Sequence, residues 1–266
     1  LIQESGLTSA ELVTNGDFSQ EGSELITNGD FETDSNWVKG TGWSISGGKA
    51  NCDGTQVSNS IFYQNIGNQS NKTVQFSFTI SDYVSGVLET AFFGASGTIA
   101  KTISANGNYT FYVAVQSGHN GNTGFTAKVG FIGSIDNVSV KEVGQDWDFV
   151  SGATVGDDKA IISGDGSVAG LIEQTSVFSS GKTYKITLDA VINSGGGLNV
   201  KHGIAYADNI GSMITTGSYT FYYTAPSTKS LVIARKTGGV AYDSSVTNIS
   251  VKEIQVDVPR IDFTDD

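Results

Sequence analysis

Few residues in this 266-residue chain could move a proton or attack an electrophile. His119 sits in a Gly/Asn-rich stretch and His202 in a strand-like one, each without a second catalytic group beside it. No G-x-S-x-G, no H-E-x-x-H and no Cys–His pairing appears, so nucleophilic and metalloprotease chemistry have no carrier. Ser179-Ser180-Gly181-Lys182-Thr183 contains a Gly-Lys-Thr, but Ser176 stands where a phosphate loop needs glycine. The YKITLDA that follows reads as a strand, which offers no helix N-terminus to a phosphate. Two carboxylates would suffice for glycoside hydrolysis, yet that chemistry needs a deep cleft. The chain reads as a protein without catalytic activity.

Aromatic side chains offer a different chemistry, because a sugar ring presents apolar C–H faces that lie on flat rings while its hydroxyls meet amides or carboxylates. In 109–115, Tyr109, Phe111 and Val113 share one strand face and Thr110, Tyr112 and Ala114 the other, so with the first face as core Tyr112 points outward. Tyr222 is its counterpart later in the chain. Trp37 and Tyr63 complete the ligand-binding set, with Phe62, Tyr83, Tyr206 and Tyr242 as further candidates. Each competes with a core role, the commoner fate of aromatics in small sandwiches.

The elements that position these residues are strands, and they come in two sets. IDNVSVKEV at 135–143 recurs as VTNISVKEI at 246–254, a spacing of 111 residues. GNYTFYVAV at 107–115 recurs as GSYTFYYTA at 217–225, a spacing of 110. Lys49-Ala50 matches Lys159-Ala160 and Gln64 matches Gln174 at that same spacing. Trp43 pairs with Trp147 if a length change intervenes, and their recurrence favours a core role. Val74, Phe76, Phe78 and Ile80 alternate with polar residues, as do Tyr184, Ile186, Leu188 and Ala190. That period of two, in the same phase in both copies, predicts half-buried strands in one shared register. No segment reads as a helix of three turns.

The expected fold is therefore all-β, with two tandem β-sandwich (jelly-roll) modules at 24–143 and 144–254. Residues 1–23 read as an N-terminal strand or linker and 255–266 as a C-terminal connector. A shorter duplication stands at the front, where ELVTNGDFS at 11–19 is echoed by ELITNGDFE at 24–32. The first of these reads as a spare opening strand for the second module or another copy, or as a loose linker.

Composition agrees with short strands and tight turns: 34 glycines and 2 prolines among Thr, Ser, Asn, Val and Ile. The net charge of −12 repels phosphate backbones, so nucleic acid is not an expected partner. The single cysteine, Cys52, excludes an intrachain disulfide and a Cys-rich zinc site. No apolar run approaches the ~20 residues that span a bilayer. Asn71, Asn108, Asn137 and Asn248 begin N-x-S/T triplets, which arise freely in so Asn-, Ser- and Thr-rich a chain.

LITNGDFETDSNWVKGTGWSISGGKA (25–50), with the closing IDNVSV (135–140), resembles the family 4/9 carbohydrate-binding modules, galactose-binding-like jelly rolls. The resemblance covers 24–143. The second module shares the core and closing strands, but it shows no N-G-D-F-E opening and has Thr247 where Asp136 stands in the first. In such modules a calcium ion often ties the opening segment to the closing strand. The resemblance thus implies a structural Ca2+ on Asn28, Asp30, Glu32 and Asp136, oxygen donors suited to a hard cation. A second resemblance, to phage tail-fibre and virion-appendage proteins, attaches to LIQE at 1–4 and VDVPRIDF at 256–263. It implies a virion structural segment that forms a homo-oligomer, with three-fold symmetry expected first, and touches other virion proteins and host surface glycans. The alternative is a pair of carbohydrate-binding accessory modules of a secreted bacterial polysaccharide-degrading enzyme or adhesin.

Overall fold

The computed structural model describes residues 4–94, 98–150, 152–205, 209–236 and 238–256. Their regular structure is all strand. The chain folds as two compact units: Glu21–Val143, continuous in sequence, and a split unit of Leu1–Gln20 with Gly144–Asp266. Of the readings of the N-terminal segment, the opening strand for the second module is the one found, since the described residues up to Gln20 join that module through β1 (Glu4–Glu11), and Glu21–Ser23 belong to the continuous unit. Strand β1 thus belongs to the split unit, whose chain is interrupted after Gln20 by the whole continuous unit.

The continuous unit begins with β2 (Glu21–Glu24), β3 (Val38–Lys39), β4 (Trp43–Ser46), β5 (Lys49–Asp53) and β6 (Ser60–Asn65). It continues with β7 (Thr73–Ser85), β8 (Leu88–Gly94), β9 (Thr98–Ile103), β10 (Gly107–Ala114), β11 (His119–Ala127) and β12 (Ile132–Val143). One sheet runs β10-β7-β12-β5-β4 with β2 also on β12, and the other runs β3-β6-β11-β8-β9. In β7 the burial alternates strictly, with Val74, Phe76, Phe78 and Ile80 inside, as the period of two requires. Phe62, Phe92, Phe125 and Phe131 meet them from the second sheet and its turns. Phe62 lies between two indoles, its ring centroid 4.7 Å from Trp37 and 4.8 Å from Trp43, stacked on both.

The split unit repeats this plan with β13 (Asp148–Val150), β14 (Ala153–Val155), β15 (Ala160–Gly164), β16 (Leu171–Phe178) and β17 (Thr183–Ser194). Then come β18 (Leu198–His202), β19 (Asn209–Met213), β20 (Gly217–Thr224), β21 (Lys229–Arg235) and β22 (Tyr242–Val256). Its sheets run β14-β15-β22-β17-β20, with β1 on β22, and β13-β16-β21-β18-β19. Strand β1 occupies the place that β2 holds in the continuous unit.

The two N-G-D-F segments carry equivalent contacts, one in each unit. Gly29 accepts from the Val138 N–H at 2.8 Å, and Gly16 accepts from the Ile249 N–H at 2.9 Å. A Cβ on either glycine would stand 2.0 Å from the carbonyl oxygen of that same closing-strand residue, so only glycine allows the approach. Asn28 and Asn15 take left-handed φ values of 54° and 51°, a region asparagine tolerates. Phe31 and Phe18 do so too, at 53° and 59°, which is costly for a bulky residue. Both rings are buried at 1% and 2% exposure, and that burial holds the strained backbone in place. The split unit therefore does possess the opening motif, supplied by Asn15–Phe18.

Three further contacts complete each latch. Gln64 donates to the Thr27 carbonyl and accepts its N–H, both at 2.8 Å; Gln174 does the same to Thr14 at 2.9 and 3.0 Å. Glu24 accepts from the Val140 N–H and the Ser139 hydroxyl, and Glu11 from the Val251 N–H and the Ser250 hydroxyl. The Trp37 indole donates to the Asn28 carbonyl at 3.0 Å, and the Trp147 indole to that of Asn15, also at 3.0 Å. Trp147 is thus the counterpart of Trp37 rather than of Trp43. The place of Trp43, opposite Cys52, is held in the split unit by Ala153, opposite Ile162. With this pairing the spacing of 110 residues holds through the first half of the repeat, and no length change is needed.

Candidate ligand-binding site

The four aromatic candidates are not gathered into one site. Trp37 is 6% exposed and stacked on Phe62 in the core, so it offers no face to a ligand. Tyr112 lies on the outer face of the six-stranded sheet, its hydroxyl accepting from Gln75 Nε2 at 3.0 Å. Tyr222 takes the equivalent place in the split unit, opposite Lys185 and 43% exposed. Tyr206 lies outside the described residues, as do the tail-fibre-like ends apart from Glu4 and Val256.

Tyr63 alone of the four stands in a concave setting. In β6 Ser60, Phe62 and Gln64 face the core, so Ile61, Tyr63 and Asn65 face out from the five-stranded sheet. Gly124 on β11 pairs with Tyr63 on one side and with Ala91 on the other. A glycine and an alanine at these positions leave a trough between Tyr63 and Phe93, whose rings meet edge to face at 5.9 Å. The depression measures ≈ 230 Å³, and its described lining is Ile61, Tyr63, Phe93, Asn120 and Asn122.

A β-bulge aims the two asparagines into it. The register of β11 on β8 jumps between His119 opposite Gly94 and Thr123 opposite Phe92, so extra residues are pushed out of the ladder. His119 is buried beneath this bulge. Its Nδ1 accepts from the Gln69 N–H at 3.0 Å, which makes Nε2 the protonated nitrogen, and Nε2–H donates to the Asn122 carbonyl at 3.0 Å. The histidine is thus a neutral brace. Asn120 Oδ1 accepts from the Asn122 N–H at 3.0 Å, and Asn122 Oδ1 accepts from Asn65 at 2.9 Å. The amide NH2 groups of Asn120 and Asn122 have no partner among the described residues. Sequence reasoning found Tyr63 but not Phe93, Asn120 or Asn122. The available signal was the Asn-Gly-Asn run beside Thr123 and Phe125, a break in alternation that marks a bulge.

The described lining holds no carboxylate, histidine or cation. Nearby Glu89 is held by Lys128 at 2.8 Å. The split unit does not reproduce the trough. There Glu173 takes the place of Tyr63, and Val232 and Lys201 those of Gly124 and Ala91. Val232 is fully buried, and Lys201 donates to the Ile204 carbonyl at 2.7 Å, so the segment after β18 turns back over this face.

Among the described residues the carboxylates that the family resemblance assigns to calcium do not cluster. Asn28 spends its side chain inside its own loop, donating to the carbonyls of Thr33 and Ser35 and accepting from the Thr33 N–H. Asp30 caps the turn to Glu32, and Asp136 accepts from the Asn137 N–H at 2.6 Å. Among the described residues no three Asp, Glu, His or Cys side chains converge as ligands, so Asp30, Glu32 and Asp136 do not. The glycine, glutamate and glutamine contacts of the latch tie the opening segment to the closing strand. Asn137 and Asn248 both take φ 53° at the closing-strand bulge, which accounts for asparagine at those two N-x-S/T positions.

No family model matches the chain, and no curated protein matches it. Among solved structures, it is similar to the tandem CBM22-1–CBM22-2 domain of Paenibacillus barcinonensis Xyn10C, at 11% identity and TM-score 0.34, covering 88% of this chain and 99% of that one. It is similar to a structure described as "CBM4 structure and function" at 22% identity and TM-score 0.31, over 41% of this chain and 78% of that one. An allantoicase structure shares 10% identity at TM-score 0.30, over 90% of this chain and 92% of that one. Superposition is weak in every case.

Proposed function

We propose that the protein is a non-catalytic glycan-binding protein whose continuous unit holds a neutral sugar chain against the outer face of its five-stranded sheet. The observation that supports this is the trough at Tyr63. It is a shallow depression lined by two aromatic rings and by two asparagines whose NH2 groups have no partner among the described residues. Sugar C–H faces suit the rings and hydroxyls suit the amides, which can both donate and accept. An open trough on a sheet admits the interior of a chain as readily as its end. The split unit, with Glu173 and a covered face at the same place, serves as scaffold or carries a different specificity. This is the role of accessory modules that hold a secreted polysaccharide-degrading enzyme or an adhesin on its polymer.

Affinity electrophoresis through gels containing neutral polysaccharides tests the reading. The native protein is expected to be retarded by at least one of them. Tyr63→Ala is expected to weaken that retardation about tenfold, the effect of losing roughly 1.4 kcal/mol at a stacking contact. Equal retardation of native protein and Tyr63→Ala would overturn the assignment of the site.

A further inference from the structure

We infer that the trough of the continuous unit selects an acetyl group carried on a neutral glycan, as an acetamide or as an ester. The inference rests on the neutral-glycan reading and narrows its ligand. Backbone N–H groups can only donate, so they decide which way each carboxamide at the trough is turned. The Gly67 N–H donates to Asn65 Oδ1 at 3.2 Å. The NH2 end of Asn65 therefore faces Asn122, and it donates to Asn122 Oδ1 at 2.9 Å. In Asn120 it is again Oδ1 that is engaged, by the Asn122 N–H at 3.0 Å. Gly121 lets this network close over the bulge. It takes φ 92°, and a Cβ there would stand 2.9 Å from Asn65 Nδ2 and 3.3 Å from the Gly67 carbonyl carbon. Both lining asparagines thus have an engaged carbonyl oxygen and an NH2 group without a partner among the described residues. The amides of the trough offer more donors than acceptors.

That excess decides which ligand group fits best. A hydroxyl that accepts from an amide brings a proton of its own, which needs a further acceptor. A carbonyl oxygen accepts and brings none. The aromatic half of the trough favours the same group. The Tyr63 and Phe93 rings meet at 5.9 Å with their planes inclined by 63°, which makes an apolar corner. A methyl group fills such a corner more completely than the broad face of a pyranose does. Carbonyl and methyl together are an acetyl group. The Tyr63 hydroxyl can both donate and accept, so it serves the N–H of an acetamide or a hydroxyl of the sugar.

The experiment is titration of the full chain, followed by backbone amide shifts, with two matched pairs of probes. Chitohexaose differs from cellohexaose only in bearing an acetamido group in place of one hydroxyl on each sugar. Acetylated xylan oligosaccharides are compared with the same oligosaccharides after alkaline deacetylation. At least one acetylated probe is expected to bind about tenfold tighter than its parent. Asn120→Asp and Asn122→Asp each keep an oxygen at the engaged position and remove the NH2 group. Both variants are expected to lose the preference, with melting curves confirming that they are folded. Preference for chitohexaose alone assigns an acetamide, preference for acetylated xylan alone an ester, and preference in both pairs the acetyl group whatever its linkage. Equal binding of acetylated and parent probes, or a preference that survives both substitutions, would overturn this inference and leave the neutral-glycan reading standing. No binding of any probe by the native protein would overturn it too, and the polysaccharide gels then decide the wider reading by themselves.

Discussion

The indole N–H of Trp147 donates to the carbonyl oxygen of Asn15, a residue 132 positions earlier, across the full length of the continuous unit. Its counterpart, Trp37 to Asn28, spans 9 positions. One latch thus closes locally in the continuous unit and over a very long loop in the split one. Closing a long loop costs chain entropy, but only logarithmically in length. The buried Phe18 and the paired amide of Gln174 offset that cost.

The latch predicts matched effects of one mutation in two places. Gly16→Ala and Gly29→Ala each drive a methyl group into a closing-strand carbonyl at 2.0 Å, a clash expected to cost about 1–3 kcal/mol. Amide hydrogen exchange locates the damage. Gly16→Ala should lower protection in β16, β17 and β22 and leave β7 and β12 unchanged, and Gly29→Ala should do the reverse.

Acid should loosen the split latch. The Ser19 backbone N–H, followed by the Ser19 hydroxyl, holds the Asp17 carboxyl below its ordinary value of 3.8. Asp189 is lowered too, first by Asn248 and then by Ser218. A depressed carboxylate pKa contributes stability that is present above 3.8 and is lost as pH falls through the folded value. Melting temperature should therefore be flat from neutral pH to about pH 5 and fall below pH 4. In Asp17→Asn the acid decline should be shallower. Asp17 is exposed and Asp189 only half-buried, so the change from either alone is small.

Calcium should not alter stability. Asn28 is turned inward onto Thr33 and Ser35 and Asp30 caps its turn, so both side chains are already engaged within the opening segment. Melting curves with millimolar Ca2+ and with chelator should coincide.

Much of the fold was legible because it is written locally. The alternation in Val74–Ile80 and in Tyr184–Ala190 fixes strand, face and register at once. The nesting was legible only as one of several readings, because the ELVTNGDF echo marks an opening strand without saying whether its partner is the second module, another copy or nothing. The pairing of Trp147 with Trp43 rather than Trp37 has the same origin: their shared sequence context does not reveal which indole meets the latch carbonyl. At the site, Tyr63 follows from the phase of β6. Phe93 does not, because β8 buries residues on both faces around Ala91 and so loses its alternation. Asn120 and Asn122 are placed by a bulge whose presence depends on pairing with β8 and on the buried His119.

Mapping of backbone amide shifts during titration with a retained neutral oligosaccharide tests the central claim most directly. The account predicts the largest shifts at residues 61–65 of β6, 91–94 of β8 and 119–124 of β11, with Tyr63→Ala requiring about tenfold more ligand to produce them. Shifts concentrated in the split unit, or shifts that persist unchanged in Tyr63→Ala, would contradict it.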